Sequence, residues 1–324
     1  MRFLVTGGAG YIGSTTTTLL LEAGHQVTVL DDLSSGRESA VPAGATFVRG
    51  AVQDEADAVL GSARFDGVLH FAGLIEVAES VREPERYWEN NVVGTLRLLQ
   101  AMRVHDVPRL IFSSTGTVYG DTKEMPIAET AAIAPKNPYA ATKAAVDALL
   151  TGYAAARGLA ATSLRYFNAS GALLRPGGES CGERHDPESH LIPIMLQVAA
   201  GERPALPLYG DDYDTVDGTC VRDYVHVADL AAAHLLALEH ARAGEHHIFN
   251  LGNGTGFSNQ QVIEAVRQVT GRPVPVERQP RRPGDIVAQV ASSERARAVL
   301  GWRPARTELT DIVADAWRFK QELA

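Results

Sequence analysis

The stretch TGGAGYIG, residues 6–13, decides how the chain is read. Residues 2–6 before it form a short apolar run with the look of a buried strand, and a helix-like segment follows as far as Ala23. Gly7, Gly10 and Gly13 give the spacing GxxGxxG across that junction, so the backbone can turn tightly and come close to a pyrophosphate at the helix N-terminus. A tight turn alone would account for three glycines equally well. What decides is the next segment, residues 26–30, which reads as a second strand ending at Asp31-Asp32. An acid about 20 residues past the glycines, at a strand tip, is placed to bond a ribose 2′-hydroxyl and to repel a 2′-phosphate, favouring NAD over NADP. The run Thr15 to Thr18 is unusual in a helix, because β-branched side chains lose χ1 freedom there.

The alternation continues outward. Residues 46–48, 67–71, 109–113 and 161–166 read as apolar strands, with helices expected over 87–103 and 139–156. Strands alternating with helices of this length imply an α/β fold, a Rossmann-type doubly wound parallel sheet covered on both faces. Ligands of such sheets sit outside the carboxyl ends of the strands. Three segments end there: His70-Phe71-Ala72-Gly73, Ser113-Ser114-Thr115 and Tyr166-Phe167-Asn168. Residues 1–168, with part of 227–255, are assigned to the dinucleotide domain, and 169–324 mainly to a smaller C-terminal α/β substrate domain. Residues 169–190, rich in Gly, Pro and polar groups, read as the loop entering it. Helices are expected over 191–200, 225–239, 259–269 and 307–322, and a strand and turn over 249–252. His185 and His190 suggest metal ligands, but their neighbours lack ligand spacing and no metal is expected. Arg222 and the pair Arg281-Arg282, beside Pro283-Gly284-Asp285, are guanidiniums on loop-like segments, and planar forks suit phosphate oxygens.

The 324 residues are 45% hydrophobic and 21% charged, enough for a large domain plus a smaller one. A net charge of −9 argues against a nucleic-acid binder. Two cysteines, Cys181 and Cys220, form neither a disulfide framework nor a zinc signature and suit a reducing cytoplasm. The N-terminal apolar run is too short for a signal sequence, and no run of about 18 apolar residues is available to span a membrane.

Chemistry is concentrated in NPYAATK, residues 137–143. Pro138 suits a first helical turn, and Tyr139 and Lys143 then lie one turn apart on one face. An ammonium beside the phenol is expected to lower its pKa from about 10 by roughly 1–3 units, toward a general base for neutral pH. YxxxK is common by chance, so its weight comes from the glycine loop and the strand ends around it.

Together these segments resemble the extended short-chain dehydrogenase/reductase family over essentially the whole chain, and more narrowly its UDP-glucose 4-epimerase branch. The matching words are TGGAGYIG (6–13), HFAGL (70–74), ENNVVGTL (89–96), FSSTGTVYG (112–120), NPYAATK (137–143), LRYFNASGA (164–172), HLIP (190–193), YGDDYDTVDGTCVRDYVHVADLA (209–231) and FNLGNG (249–254). The stretch DGTCVRDYVHV (217–227) is the most specific to that branch. The resemblance implies reversible inversion at C4 of a UDP-hexose through a 4-keto sugar, with Tyr139 as base, Lys143 on the nicotinamide ribose and Thr115 at the catalytic serine position. It implies that Gly7, Gly10, Tyr11, Ile12, Gly13, Asp31, Asp32, Val52, Phe71, Ala72, Gly73, Asn91, Ser113 and Tyr166 join Tyr139 and Lys143 around NAD. Thr115, Tyr139, Asn168, His190, Leu191, Tyr209, Arg222, Arg282 and Gln289 would line the UDP-sugar site, Arg222 and Arg282 on the diphosphate and Tyr209 near uracil. A homodimer packed through residues 87–103 and 139–156 is likewise implied.

The chain departs from the family pattern in places. Ala51 stands where many members have Asp near the adenine, and Ile75 where some have a Lys on the cofactor phosphates. His190 replaces an Asn, and Gln289 a residue governing room at the sugar's C2. Related dehydratases place Asp-Glu after the catalytic threonine, whereas Gly116-Thr117 follow here, so elimination lacks its acid and base. A silent NAD-binding relative would usually lack the Tyr or Lys, and both are present.

Overall fold

The computed structural model describes residues 1–175, 177–282 and 285–323; Pro176, Pro283 and Gly284 of the loops above lie outside them. Seven strands make the main sheet: β1 (Arg2–Thr6), β2 (Gln26–Asp31), β3 (Thr46–Arg49), β4 (Gly67–His70), β5 (Arg109–Thr115), β6 (Ala160–Tyr166) and β12 (His246–Leu251). They pair parallel in the order β12-β6-β5-β4-β1-β2-β3. The chain begins at β1, winds out through β2 and β3, then returns to β4 on the other side of β1. The winding direction reverses there, and a crevice opens beyond the carboxyl ends of β1 and β4.

Strands buried on both faces send successive side chains into opposite cores. Phe3 and Val5 of β1 pack with Leu20, Leu230 and Trp302, while Leu4 between them packs with Leu98, Val146 and Leu150. The first core lies under α1 (Tyr11–Glu22) and α8 (Val227–His240), the second under α2 (Val52–Gly61), α5 (Gly94–Val104) and α6 (Pro138–Arg157). The threonine run sits inside α1, fully buried. The hydroxyls of Thr15, Thr16 and Thr18 donate back to the carbonyls of Tyr11, Ile12 and Ser14 at 2.9, 2.9 and 3.0 Å, which lets a β-branched run stay helical without stranding those polar groups.

Two expectations change. The single helix expected over 87–103 is α4 (Pro84–Tyr87), preceded by α3 (Val77–Arg82) and followed by a π-helical turn, Trp88–Val93, before α5. The wide turn turns Asn91 inward, where its Oδ1 accepts from Leu74 N at 2.8 Å and its Nδ2 donates to Thr142 Oγ1 at 3.1 Å. The helix expected from 225 begins at Val227, because Val221–His226 is a strand, β11. Its second half pairs parallel with β7 (Asn168–Ser170), and its first half lies between β13 (Gly256–Ser258) and β15 (Ala288–Gln289). Backbone pairing on both sides overrides the helical look of the sequence.

The smaller lobe adds the hairpin β8 (Ala172–Leu173)–β9 (Cys181–Gly182) and the parallel pair β10 (Leu206–Tyr209)–β14 (Val276–Gln279). Its core, including Met195, Leu196, Ile263, Val266 and Ile312, is closed by α7 (Leu191–Ala199), α9 (Asn259–Thr270) and α10 (Leu309–Glu322).

A buried ion pair braces the sheet behind the crevice. Asp147 on α6 and Arg165 on β6 meet at 2.8 Å with side chains only 5% and 4% exposed. Arg165 also donates to Tyr119 Oη at 2.9 Å, and Ser114 Oγ donates to Asp147 at 3.2 Å. Removing one partner leaves the other charge buried and unpaired, which costs about 3–5 kcal/mol. Asp147→Ala is therefore expected to lose that much in urea unfolding, and Asp147→Ala with Arg165→Met to regain much of it. A double variant no more stable than the single would contradict the orphan-charge account.

Candidate active site

Two cavities share a wall above the sheet. The first, about 330 Å³, lies over the carboxyl ends of the central strands; the second, about 650 Å³, lies between that edge and the smaller lobe. Asn168, Ala169, Glu183, His185 and His190 line both.

The first cavity is built around the glycine loop. Gly7 has φ +72, and a Cβ there would sit 2.4 Å from Ala72 N; at Gly13 it would sit 2.2 Å from Gly7 O. Glycine thus lets the β1–α1 turn press against the segment after β4 while α1 starts directly over the strand. No side chain caps α1, so its first N–H groups face the cavity. That is the cradle an anionic pyrophosphate needs. Asp31 closes the far end, its two oxygens accepting from Ala9 N and Leu33 N at 2.9 Å each. Burial raises its pKa, and those two N–H bonds restrain the rise. Fixed this way, its remaining lone pairs suit a ribose diol, so the residues present fit a dinucleotide.

Gly7, Gly10, Tyr11, Ile12, Gly13, Asp31, Asp32, Val52, Phe71, Ala72, Gly73, Ser113, Tyr139, Lys143 and Tyr166 all line this cavity. Asn91 does not; its amide holds the segment after β4 from behind. The Tyr11 phenol is committed elsewhere, donating to Gly171 O at 2.6 Å. Gln53 and Ser34, unforeseen in the sequence, add polar groups beside Val52 and Asp32. Ile75 lines the cavity as an apolar, 39% exposed side chain.

Thr115, Tyr139 and Lys143 meet at the end of β5. Asn137 Oδ1 caps α6 by accepting from Ala140 N at 2.8 Å, with Pro138 in the first turn, which stacks Tyr139 over Lys143. Lys143 Nζ donates to Ser113 O at 2.9 Å. Thr115 Oγ1 accepts from Thr117 N at 3.2 Å. The expected lowering of the tyrosine by the lysine is not what dominates in this cavity. Burial pushes the Tyr139 phenol up to about 12; the Thr115 hydroxyl draws it down, and the charge of Glu76 raises it further. Burial also drives Lys143 down to about 8 against the pull of Asp147. Spacing gave proximity, but taking both groups out of water outweighs it.

In the second cavity Arg222 on β11, Tyr209 on β10, Leu191 on α7 and Arg282 all line the wall. The Arg282 guanidinium lies 3.8 Å from the centroid of the Tyr209 ring. Arg222 is 3.8 Å from the Asp285 carboxylate. Arg281 is occupied by Asp212 at 2.6 Å and does not line it. Gln289 lines neither cavity: β15 holds it in register with Arg222, 7% exposed, its Nε2 without a partner among the described residues.

The loop between β9 and α7 brings together residues that sequence reasoning set aside. Ligand atoms of Glu183, His185, Glu188 and His190 all lie within 4.8 Å of one another. Burial pushes Glu183 up, but His190 and His185 prevail and hold it down at about 2. The signal was an E-x-H pair repeated five residues on, at 183/185 and 188/190.

No helix among the described residues is long and apolar enough to cross a membrane. Residues 3–252 match the NAD dependent epimerase/dehydratase family. The chain is 52% identical to the UDP-glucose 4-epimerase of Corynebacterium glutamicum, covering 100% of this chain and 97% of that protein. It is 54% identical to the UDP-glucose 4-epimerase of Streptomyces lividans, covering 98% and 95%. Its fold superposes with a TM-score of 0.93, at 39% identity and over 100% of this chain and 98% of the other, on the UDP-glucose 4-epimerase of Stenotrophomonas maltophila with bound NAD and formylated UDP-arabinopyranose. The glycine cradle, the Tyr139–Lys143 helix and the two adjoining cavities are thus those of a chain that belongs to the NAD dependent epimerase/dehydratase family, in its UDP-glucose 4-epimerase branch.

Proposed function

We propose that Thr115, Tyr139 and Lys143 carry the chemistry of this NAD-dependent UDP-hexose 4-epimerase, with the dinucleotide in the smaller cavity and the UDP-sugar in the larger. The observation that carries this reading is the shared wall: Asn168 and His190 face both cavities, beside Tyr139 and Thr115. A sugar entering from the larger cavity meets the cofactor cavity at the catalytic hydroxyls.

When bound in its oxidised form, NAD supplies a hydride acceptor for C4 and a positive charge within the same cavity. Tyr139 takes the 4-hydroxyl proton as C4 is oxidised and returns it after the ring has presented its other face. A phenol near 12 stays protonated at neutral pH, so positive charge from Lys143 and its surroundings is what brings it into the working range. Thr115 offers a hydroxyl that both accepts and donates beside that phenol. Arg222 and Arg282 bind the diphosphate, Tyr209 lies near the uracil, and Asn168, His190 and Leu191 line the sugar. Gln289, in register with Arg222, is not among the residues lining either cavity. Asn91 is a positioning residue for the cofactor cavity.

Elimination is disfavoured by packing as well as by residue type. A Cβ at Gly116 would stand 2.6 Å from the Phe167 ring, so an acidic side chain after Thr115 has no room. Residues 1–168 with the returning strand form the cofactor domain in this reading, and most of 169–324 the sugar domain. Val77, Val81 and Trp88 are exposed apolar side chains near α6, which supports a homodimer through that face. Two free, buried cysteines support a reducing cytoplasmic setting.

Purified protein given UDP-galactose, with and without added NAD, is expected to form UDP-glucose. Tyr139→Phe should slow this by about 10²–10⁴-fold while still binding NAD, read by cofactor fluorescence; unchanged turnover would remove Tyr139 from the mechanism. Lys143 gives a stability test. Its pKa falls from 10.5 to about 8 on folding, so below pH 8 the folded state carries a buried charge it disfavours, by about 3 kcal/mol. That penalty fades as pH rises from 8 to 10.5. Lys143→Met should therefore stabilise the cofactor-free protein to urea at pH 7 by up to about 3 kcal/mol, with the gain shrinking toward pH 10. A gain independent of pH would contradict the account.

A further inference from the structure

We propose that Glu183, His185, Glu188 and His190 form a binding site for a divalent transition-metal ion, zinc foremost, at the wall between the two cavities. Two imidazole Nδ1 atoms and two carboxylates converge from one loop, their ligand atoms all within 4.8 Å of one another. The nearest approaches are 2.7 Å (His190 to Glu183), 2.9 Å (His185 to Glu183) and 3.5 Å (His190 to Glu188), with His185 to Glu188 at 4.0 Å. A tetrahedral shell with bonds near 2.0–2.1 Å separates its ligands by roughly 3.4 Å, in the middle of this range. Sub-ångström shifts of four side chains would complete it.

A proton-sharing network explains only part of the cluster. His185 donates a hydrogen bond to Glu183. His190 Nδ1 is buried and makes no well-aligned hydrogen bond among the described residues, although Glu183 lies 2.7 Å away and the side chain as a whole is 44% exposed. The Glu183 and Glu188 side chains are only 8% and 4% exposed. The two buried carboxylates supply negative charge that a divalent ion would neutralise. Glu188 is already aimed, since its Oε1 accepts from Ser189 N and His190 N at 2.8 and 2.9 Å, the kind of outer support that metal ligands carry. Two nitrogens favour zinc, cobalt or nickel over magnesium and calcium, which prefer oxygen alone. The ion would clasp the β9–α7 loop across the mouth shared by the cavities. It does not depend on the catalytic assignment.

The test uses the full NAD-loaded chain, stripped with chelator and titrated calorimetrically with zinc chloride. One ion per chain is expected, with magnesium chloride at the same concentration not competing. Cobalt(II) in place of zinc should give the intense visible bands of a tetrahedral site with nitrogen and oxygen ligands, a readout needing no variant. His185→Asn and Glu188→Gln, shown folded by near-UV circular dichroism, should each weaken zinc binding by about 100-fold or more. Absence of stoichiometric binding, equal competition by magnesium, or variants that bind as tightly as the parent would overturn the site. Binding is read without turnover, so none of these outcomes bears on the epimerase reading.

Discussion

The carboxylate of Asp223 holds the two lobes in the relation that makes a site. It is wholly buried and accepts three backbone N–H groups, from Asn253 at 2.7 Å, Gly254 at 3.1 Å and Ala291 at 3.0 Å. The first two belong to the turn leaving β12, the edge strand of the main sheet; the third follows β15. One side chain therefore gathers the exit of the large sheet and two strands of the small one. Burial lifts its pKa to about 6, with the three donors opposing the rise. The turn comes so close that a Cβ at Gly252 would lie 2.4 Å from the carboxylate. Asn168 in turn donates its amide to the Asp223 carbonyl at 2.9 Å. Because side chains alternate along a strand, Asp223 in the interior leaves its neighbour Arg222 on the cavity side.

In the smaller cavity burial, more than pairing, sets the state of the titratable groups. Burial holds Lys143 below its ordinary pKa and Tyr139 above it, as it lifts Asp223, where three N–H groups oppose the rise. An anionic group brought beside Lys143 would favour its charged form.

Much of this was legible in the sequence, and the misses share a cause. GxxGxxG, Asp31 and YxxxK are local spacings, and local spacing survives folding almost unchanged. The main-sheet strands were readable because double burial gives them continuous apolar runs. β11 was misread because Val225 and His226 run into a helical segment, and only pairing with β7, β13 and β15 makes the preceding residues extended. The π-helical turn depends on where the Asn91 amide finds partners, and Leu74 and Thr142 are remote in sequence. Strands as short as Ala288–Gln289 show no period, so the pairing of Gln289 with Arg222 left no trace. Proximity of lysine to tyrosine was read correctly, but desolvation is a property of the assembled cavity.

The same distinction locates what sets the reaction geometry. Tyr166, Phe167 and Asn168 are consecutive residues leaving β6. Tyr166 lines the cofactor cavity and stands in register with Thr115, Phe167 packs on Gly116, and Asn168 reaches both cavities before β7 pairs with β11. Two residues of extended chain span roughly 7 Å. The offset between the cofactor wall and the sugar wall is therefore fixed by covalent backbone on this side of the cleft, not by how the lobes dock. On the other side the wall is the loop carrying Glu183 and His190, which runs from β9, paired with β8, to the start of α7.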